Sequence, residues 1–431
     1  KNLYFNSMAT YNIDFSNTVD GKPIFYIKNA NNTIFDSSTN VGAFYCISCN
    51  NITIRDLTLT KNGVGVLLFD TKNSKVDMVN VSNNINGIIL VTQLFASNLI
   101  TNNIANYNNG GGITIFGGGE SILINNTVNN NGEGIFIQGV LDIGRNSTII
   151  NNTVNNNGRG ILLYASSSTK VINNQVGNNS VGIYLYLSSL NIIANNKITN
   201  NSVGITLGGS NNNSITNNTI INSYYGIILY SSDNLIYNHF FNNKINAFDN
   251  VRNTWNINRT KGKNIINGFF IGGNFWHDYN GTDLDGDGIG DTKLPYNSSN
   301  NIANGGDFAP LTFVVIDVDT DGDGFPDRFD NCPTIPNPGQ DDFDNDGIGN
   351  VCDLDIDNDS VANEVDNCPL NSNLNQTDGD NDTIGNICDN CPFIANPDQS
   401  DIDLDIIGDV CDANLRIRKW GPTAVPGRVL D

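Results

Sequence analysis

The sequence is poor in the residues that bind soft or borderline metal ions. Its 431 residues include two histidines and two methionines, and His239, His277, Met8 and Met78 lie far apart along the chain. Copper sites are built from histidine, methionine or cysteine side chains that converge on one ion. The composition therefore argues against a copper site, and we expect an isolated histidine here to be structural.

Long apolar runs are also missing. No run approaches the ~18 residues that a membrane-spanning helix needs. The first residues, Lys1-Asn-Leu-Tyr-Phe5, lack the basic and apolar regions of a signal peptide. We expect no membrane span in this fragment and interpret the chain as a processed or truncated piece of a longer, secreted protein.

Charge is scarce in the first part of the chain and abundant in the second. Residues 273–431 hold 33 acidic and 6 basic residues, which leaves 11 acidic and 16 basic residues for 1–272. An acidic segment of this kind repels nucleic acid and attracts divalent cations. We therefore expect no nucleic-acid partner and a metal-binding second part.

The cysteines are distributed just as unevenly. Six lie in the acidic part at a repeated spacing: Cys332, Cys352, Cys368, Cys388, Cys391 and Cys411. An even number with no histidine nearby indicates a disulfide framework, and hence an oxidising, extracellular setting, more than a zinc site. Cys46 and Cys49 form a separate CxxC, which we interpret as a pair of buried free thiols.

What fills the first part is a repeat of about 22 residues. A glycine followed by apolar residues recurs at intervals of 22, 25, 22, 26, 22, 22 and 22, as Gly65, Gly87, Gly112, Gly134, Gly160, Gly182, Gly204 and Gly226. The two longer intervals carry extra residues around 93–97 and 141–145, which we interpret as loop insertions. A low-complexity linker would not keep this register, so the repeat predicts a solenoid.

Asparagine pairs mark the turns of this solenoid. Each pair belongs to an Asn-Asn-x-Val/Ile signature, at Asn125-Asn126, Asn151-Asn152, Asn173-Asn174, Asn195-Asn196 and Asn217-Asn218. Asparagine tolerates the left-handed backbone conformation, and amides stacked in successive coils can hydrogen-bond in a ladder. The sequence predicts about three short strands per coil, with coils ~4.8 Å apart.

Particular stretches resemble a known family. Asn17-Thr-Val-Asp-Gly-Lys-Pro-Ile24, Gly63-Val-Gly-Val-Leu-Leu68 and a closing stretch from Gly273-Asn-Phe-Trp-His-Asp-Tyr279 to Asp307-Phe-Ala-Pro-Leu311 resemble the right-handed parallel β-helix of NosD-type and archaeal surface proteins. The resemblance implies an all-β fold with a parallel β-helix over residues 1–312, capped over 273–312. Bulk for the cap would come from aromatic side chains: Trp255, Phe269, Phe270, Phe275 and Trp276.

The second part carries six aspartate loops. Their pattern, Asp-x-Asp-x-Asp-Gly-x-x-Asp/Asn, puts side-chain oxygens at loop positions 1, 3, 5 and 9, a backbone carbonyl at 7 and in most loops an acid at 12, and Gly at 6 permits a sharp turn. Oxygen ligands that converge in this way select a hard cation, so we expect several calcium ions. An acidic solvated turn would explain one loop, but not six in register with cysteines.

The candidate ligands are as follows. The first three loops contribute Asp283, Asp285, Asp287, Ile289 and Asp291; Asp319, Asp321, Asp323, Phe325, Asp327 and Asp330; and Asp342, Asp344, Asp346, Ile348, Asn350 and Asp353. The other three contribute Asp355, Asp357, Asp359, Val361, Asn363 and Asp366; Asp378, Asp380, Asp382, Ile384, Asn386 and Asp389; and Asp401, Asp403, Asp405, Ile407, Asp409 and Asp412.

Three loops depart from the pattern at position 6, and the first departs at position 12. Ser360, Thr383 and Ile406 replace the turn glycine. Because β-branched residues resist positive φ, we expect the last two loops to be weaker or reshaped. The first loop has Leu294 at position 12, and Asp307 is the candidate substitute.

These loops alternate with Asp330-Asn-Cys-Pro333 and two related motifs, and with Asn337-Pro-Gly-Gln340 and Asn396-Pro-Asp-Gln399. The aspartate segment (residues 313–412) thereby resembles thrombospondin type 3 repeats. The resemblance implies that calcium replaces a hydrophobic core and that cysteines pair consecutively, as Cys332–Cys352, Cys368–Cys388 and Cys391–Cys411. Residues 413–431 resemble a linker and the first strand of an Ig-like surface repeat.

Three functions follow as hypotheses. The favoured one is a non-enzymatic cell-surface or filament-forming protein that self-associates or binds surface partners. A glycan-binding adhesin is the second, with stacking platforms at Tyr164, Tyr184, Tyr186 and Tyr230. A polysaccharide lyase or epimerase is the third, but the acidic residues of 60–272 are isolated. Glu133 and Arg159 should meet on adjacent coils, more as an ion pair than as catalytic groups.

Overall fold

The computed structural model describes residues 13–92, 96–117, 120–139, 146–313, 318–402 and 405–412. The chain forms two compact units, Lys1–Val314 and Val315–Asp431. Most of both proposed insertions and the resemblance to an Ig-like strand lie outside the described residues. The described residues form strands and turns but no helix, and among them no helix exists that is long and apolar enough to cross a membrane.

All strands among the described residues belong to the first unit. The first sixteen are β1 (Thr18–Val19), β2 (Lys22–Lys28), β3 (Asn31–Phe35), β4 (Ala43–Ile47), β5 (Asn50–Arg55), β6 (Val64–Phe69), β7 (Ser74–Asp77), β8 (Asn86–Thr92), β9 (Asn98–Thr101), β10 (Gly111–Gly117), β11 (Ile122–Ile124), β12 (Glu133–Gln138), β13 (Thr148–Ile150), β14 (Thr153–Asn155), β15 (Arg159–Tyr164) and β16 (Lys170–Ile172). The others are β17 (Gln175–Gly177), β18 (Val181–Tyr186), β19 (Ile192–Ala194), β20 (Lys197–Thr199), β21 (Val203–Gly208), β22 (Ser214–Thr216), β23 (Thr219–Ile221), β24 (Tyr225–Tyr230), β25 (Leu235–Tyr237), β26 (Phe240–Asn242), β27 (Ile245–Arg252), β28 (Thr260–Lys261), β29 (Phe270–Ile271), β30 (Phe275–Trp276) and β31 (Ile302–Asn304).

These strands stack into a parallel β-helix, which confirms the predicted all-β solenoid. A 13-stranded sheet runs β1-β2-β4-β6-β8-β10-β12-β15-β18-β21-β24-β27-β31. A 10-stranded sheet runs β25-β22-β19-β16-β13-β11-β9-β7-β5-β3, and a 6-stranded sheet runs β14-β17-β20-β23-β26-β30. Each coil buries one apolar side chain per short strand against the next coil, so a single continuous core fills the solenoid.

The repeated glycines are needed where the coils approach each other. A Cβ built on Gly134 would lie 2.4 Å from the carbonyl oxygen of Gly160, and one on Gly160 would lie 2.6 Å from that of Gly182. Atoms cannot approach this closely without displacing the backbone. The glycines that recur about every 22 residues therefore form a column, in which each glycine lies against the backbone of the next coil.

The two members of each asparagine pair have different tasks. The first has a left-handed backbone, with φ of 55° at Asn125, 56° at Asn151 and 57° at Asn173. The second is buried, and its side-chain oxygen accepts the backbone N–H of the corresponding residue one coil earlier. In this first ladder the donor–acceptor distances are 2.8–3.1 Å through Asn103, Asn126, Asn152, Asn174, Asn196, Asn218, His239 and Asn274. The predicted amide ladder is therefore present.

His239 takes the place of an asparagine in the first ladder. Its Nδ1 accepts the N–H of Asn218 at 3.1 Å, and its Nε2–H donates to the carbonyl of Ile215 at 2.9 Å. Asn218 makes the same kind of bond one coil earlier, from Nδ2 to the carbonyl of Ile193 at 2.8 Å. Complete burial lowers the pKa of His239 to about 4. Both ring nitrogens are used, so this histidine is structural.

A buried carboxylate closes the first ladder. Asp307 Oδ2 accepts the N–H of Asn274 at 2.7 Å and the indole N–H of Trp276 at 2.8 Å. Burial raises the pKa of Asp307 to about 6, although these donors favour its ionised form. Trp276 packs face to face on Phe241 with ring centroids 4.5 Å apart. Trp255 and Trp276 are both 1% exposed, so these two of the five aromatic residues proposed for the cap are fully buried.

Cys46 and Cys49 form a disulfide, so the expectation of free thiols was wrong. Cys46 lies in β4, and Ser48 has a φ of 54°, which turns the chain sharply after the strand. Both cysteines consequently lie in the interior with their Cα atoms 6.0 Å apart. The strand β4 ends between the two cysteines, which allows both side chains to point inwards. Their spacing in the sequence does not show where the strand ends.

Candidate calcium loops

The structure gathers the aspartates of five predicted loops into compact clusters. In each, three carboxylates have oxygens within 4.8 Å of one another: Asp283, Asp285 and Asp291; Asp319, Asp321 and Asp323; Asp342, Asp344 and Asp346; Asp355, Asp357 and Asp359; Asp378, Asp380 and Asp382. The sixth loop includes Asp403, which lies outside the described residues. Carboxylate oxygens at this density repel one another unless a cation lies between them.

The aspartate at position 1 folds each loop around itself. In the second loop, Asp319 Oδ1 accepts the N–H of Gly322 at 2.7 Å and Oδ2 accepts the N–H of Gly324 at 3.1 Å. Both glycines have positive φ, 78° and 103°. These two left-handed residues let the chain wrap back on its first carboxylate, as the glycine at position 6 had indicated.

The three loops without that glycine adopt the same turn. The φ values are 77° at Ser360, 84° at Thr383 and 72° at Ile406. Asp378 Oδ2 still accepts the N–H of Thr383, at 3.0 Å. Hydrogen bonds to the first aspartate therefore hold the turn backbone in place, so the reshaped turn, one of the two expected outcomes, is not seen at Thr383 or Ile406. The other outcome, weaker calcium binding by the last two loops, stays a prediction, since the strain remains.

Position 9 closes the loop from its other end. Asp327 Oδ1 accepts the N–H of Thr320 at 2.7 Å, and the side-chain oxygen of Asn350 accepts the N–H of Phe343 at 2.9 Å. The same bond recurs in the other loops. An asparagine serves as well as an aspartate here, which explains why both occur. This position suits contact with an ion through water.

Buried oxygens without a partner point to the ion. At position 12 these are Oδ2 of Asp330, Asp353, Asp366 and Asp389; at position 3 they are Oδ2 of Asp321, Asp344 and Asp357, and both oxygens of Asp380. Burial, and then the neighbouring carboxylates at positions 5, 12 and 1, raise the pKa of Asp357 and Asp380. A buried anion with an unused lone pair is costly. The residues present therefore fit a hard cation held by oxygens of positions 1, 3, 5 and 12.

In three loops, a glutamine ten residues after position 12 orients the aspartate at that position. Asp330 Oδ1 accepts the N–H of Cys332 and the amide of Gln340, both at 2.8 Å, which leaves Oδ2 for the ion. Gln376 and Gln399 brace Asp366 and Asp389 in the same way. The Asn-Pro-x-Gln motifs that end at Gln340 and Gln399 were visible in the sequence as part of a resemblance, whereas Gln376 ends the stretch Asn373-Leu-Asn-Gln. The role of these glutamines as a brace for the ligand required the structure.

Disulfides tie these loops together. They join Cys332–Cys352, Cys368–Cys388 and Cys391–Cys411, the consecutive pairing that the resemblance implied. In the described part of this unit, the only buried side chains classed as hydrophobic are Cys332, Cys368 and Cys391. Large apolar residues are exposed instead, including Leu354 at 79% and Phe393 at 82%. Residues 318–402 and 405–412 therefore have no apolar core to hold them together.

The first loop differs from the others. Asp283, Asp285 and Asp291 lie together, but Asp287 Oδ2 pairs with Arg259 Nη1 at 2.8 Å, and its Oδ1 accepts the N–H of Ile289. Asp307 does not complete this loop as expected, because both its oxygens are used within the cap. The loop thus holds fewer free carboxylates than its sequence suggested.

Comparison with family models reproduces this order along the chain. A model for a right handed beta helix region matches residues 3–140, one for the periplasmic copper-binding protein NosD matches 140–281, and thrombospondin type 3 repeats match 315–340, 341–376 and 376–399. The predicted resemblances to these families are confirmed. Residues 315–399 match thrombospondin type 3 repeats. Such repeats bind calcium, which agrees with the aspartate clusters.

The curated relatives match a short stretch of this chain. Cartilage oligomeric matrix protein of Homo sapiens is 49% identical over 49 residues, and that of Mus musculus is 54% identical over 44 residues. The matches cover 9% and 8% of this chain, and the chain spans 6% of the length of either relative. What those proteins do as a whole is thus a separate question from what this chain does.

Solved structures resemble the β-helix at low identity. The A-module of mannuronan C-5 epimerase AlgE6 of Azotobacter vinelandii is 18% identical with a TM-score of 0.42, and covers 53% of this chain and 79% of its own. Tailspike protein 2 of an Escherichia coli O157:H7 bacteriophage is 14% identical with a TM-score of 0.37, and covers 60% of this chain and 42% of its own. Neither likeness bears on activity.

The residues considered for catalysis pair with each other. Glu133 and Arg159 are directly opposite in β12 and β15. Arg159 Nε donates to Glu133 Oε1 at 2.9 Å and to Oε2 at 3.0 Å, and its Nη2 donates to Oε1 as well. The two residues form the ion pair expected from their spacing. Charges that neutralise each other in this way are poorly suited to act as an acid or a base.

Proposed function

We propose that this chain is a non-enzymatic structural protein of the cell exterior, stiffened by calcium. In this proposal the aspartate segment becomes a rigid spacer when it is loaded with calcium, and the β-helix presents a surface for assembly or adhesion. The observation that supports it best is the recurrence of unpartnered, buried oxygens at positions 3 and 12 of successive loops. Disulfides and the family matches agree with an extracellular or surface location.

The proposal follows from what the aspartate segment lacks. With its large apolar side chains exposed, hydrophobic burial contributes little to its stability. Three disulfides should contribute ~3 kcal/mol each by closing loops in the unfolded chain. The remaining stabilisation would come from the ions, since binding to the folded form alone stabilises it. Removal of calcium should therefore open this unit and leave the β-helix folded.

Limited proteolysis of the full chain with and without EGTA tests this difference. We expect rapid cleavage within residues 318–412 after chelation, and protection when calcium is restored. The β-helix is the internal control, because its core is apolar and continuous. An unchanged cleavage pattern after chelation would contradict the proposal.

A single substitution tests the ligand geometry. Asp330→Asn keeps an oxygen to accept from Cys332 and Gln340, but replaces the unpartnered Oδ2 with an amide. We expect at least about tenfold weaker calcium binding at one site, measured by competition with a chromophoric chelator. Asp341→Asn is the control, because it removes the same charge from an exposed residue outside the clusters. Equal losses in both variants would show a nonspecific charge effect.

Glycan binding by the β-helix is the second candidate. Tyr164, Tyr186, Gly208 and Tyr230 occupy the same register position in successive strands of the 13-stranded sheet. Tyr186 is 39% exposed and Tyr230 is 56% exposed. Exposed aromatic rings in a row offer stacking platforms to a sugar chain. A glycan array probed with the intact protein tests this candidate, and binding that survives Tyr186→Ser and Tyr230→Ser would count against it.

A further inference from the structure

In a second asparagine ladder, the residue before each ladder position is usually asparagine, and two coils depart from this pattern. Its buried members include Asn62, Asn84, Asn108, Asn131, Asn157, Asn179 and Asn201. The residue before each ladder position has positive φ, and it is asparagine at Asn83, Asn130, Asn156, Asn178, Asn200 and Asn222. Lys61 and Tyr107 take this place in two coils, with φ of 62° and 57°.

Tyr107 is not a residue that the backbone of this turn favours. A bulky residue in the left-handed region costs ~1 kcal/mol relative to glycine, and asparagine is better tolerated there. Packing does not offset that cost, because Tyr107 is 61% exposed. A strained residue that contributes nothing to the core points to a role outside folding.

The two departures line the same cavity. It is a shallow cavity, open to solvent, with a volume of about 470 Å³, and residues from three successive coils line it, among them Lys61, Asn83, Ile85, Tyr107 and Asn109. Ile85 is 55% exposed. Within the described residues, the side-chain amides of Asn83 and Asn109 and the hydroxyl of Tyr107 form no hydrogen bond with the protein. The cavity thus combines apolar surface with free donors and acceptors.

Charge narrows the choice of ligand. Lys61 is the one charged residue lining the cavity in the described structure, and its Nζ pairs with Asp20 Oδ2 at 2.9 Å. A neutral cavity of this kind has no net attraction for an anionic or cationic ligand. Amides, a phenol and an exposed ring suit hydroxyl groups that surround an apolar C–H face.

We propose that this cavity, the Tyr107 cavity, binds a sugar unit of an uncharged glycan. The ring of Tyr107 and the side chain of Ile85 contact the C–H face of the sugar, and the amides of Asn83 and Asn109 bind its hydroxyls. This site is separate from the tyrosine row of the 13-stranded sheet. It also does not depend on calcium in the aspartate segment, so either proposal can fail alone.

Titration of the intact, calcium-loaded protein with cellohexaose, maltohexaose, mannohexaose and chitohexaose tests the site, with binding followed by calorimetry. We expect at least one hexasaccharide to bind, and Tyr107→Asn to weaken it by about tenfold or more. Because asparagine is the usual residue of this turn, the variant should be at least as stable as the wild type. Its melting temperature therefore shows that any loss of binding is not unfolding.

Tyr224→Ser is the matched control, since it removes a tyrosine that is 48% exposed and belongs neither to the Tyr107 cavity nor to the tyrosine row. The proposal is supported if Tyr107→Asn weakens binding and Tyr224→Ser does not. It is overturned if none of the four sugars binds, or if Tyr107→Asn binds as the wild type does. Loss of binding in Tyr186→Ser alone would also overturn it and assign the glycan to the tyrosine row.

Discussion

Replacement of His239 with asparagine tests whether this histidine acts only as a member of the first ladder. An asparagine at this position can accept the N–H of Asn218 and donate to the carbonyl of Ile215, as its neighbours in the ladder do. The variant loses some packing, including that of the imidazole against Phe241, whose ring centroid lies 5.3 Å from that of His239. We expect a loss of about 1–2 kcal/mol at pH 7 from the smaller side chain.

The effect of His239→Asn on stability at lower pH follows from the pKa of the histidine. It falls from 6.5 in the unfolded chain to about 4 in the folded protein because His239 is fully buried. Between these values the unfolded chain binds a proton that the folded protein does not, so stability falls as the pH falls. The contribution of His239 to the free energy of unfolding is complete above pH 6.5 and is lost as the pH falls towards 4. The change amounts to about 3 kcal/mol. Asparagine does not titrate, so His239→Asn removes this change.

Urea unfolding of the full chain at several pH values measures the effect. The fluorescence of Trp255 and Trp276 should report the β-helix, because both are buried in its cap. We expect the stability difference between wild type and variant to shrink or reverse from pH 7 to pH 4.5. A difference that stays constant over this range would refute the ladder role and the buried, neutral imidazole with it. Carboxylates titrate in both proteins and cancel in the comparison.

Two further predictions concern Asp307 and the fifth calcium loop. Burial raises the pKa of Asp307 from 3.8 to about 6, so the wild-type protein should lose about 3 kcal/mol of stability as the pH rises from 3.8 to 6. This dependence on pH is opposite in sign to that of His239. Asp307→Asn should abolish it in the same urea assay. A parallel slope in both proteins would contradict the assignment. Thr383→Gly should relieve a left-handed threonine and tighten calcium binding about fivefold, measured by chelator competition. Gly324→Thr is its reciprocal control, and no gain in the first variant would show that the turn is unstrained.

The sequence determined the parts of the molecule that depend on local rules. A 22-residue period fixes how coils stack, because each coil must present the same face to the next. The column from Gly134 to Gly182 and the pairs at Asn125 and Asn151 follow from the same rule, since close approach requires glycine and a left-handed turn favours asparagine. The aspartate loops were equally legible, because their ligands lie within a dozen residues of one another.

Tertiary structure decided what depends on groups far apart in the sequence. Asp307 closes a ladder that ends more than thirty residues earlier at Asn274, and Arg259 takes Asp287 away from the first loop. The Tyr107 cavity joins residues of three coils. Local pattern carries no information about which distant donor reaches a buried oxygen. The periodicity of the chain therefore specified the stacking of the coils. Three-dimensional packing specified which polar groups remain free to bind a ligand.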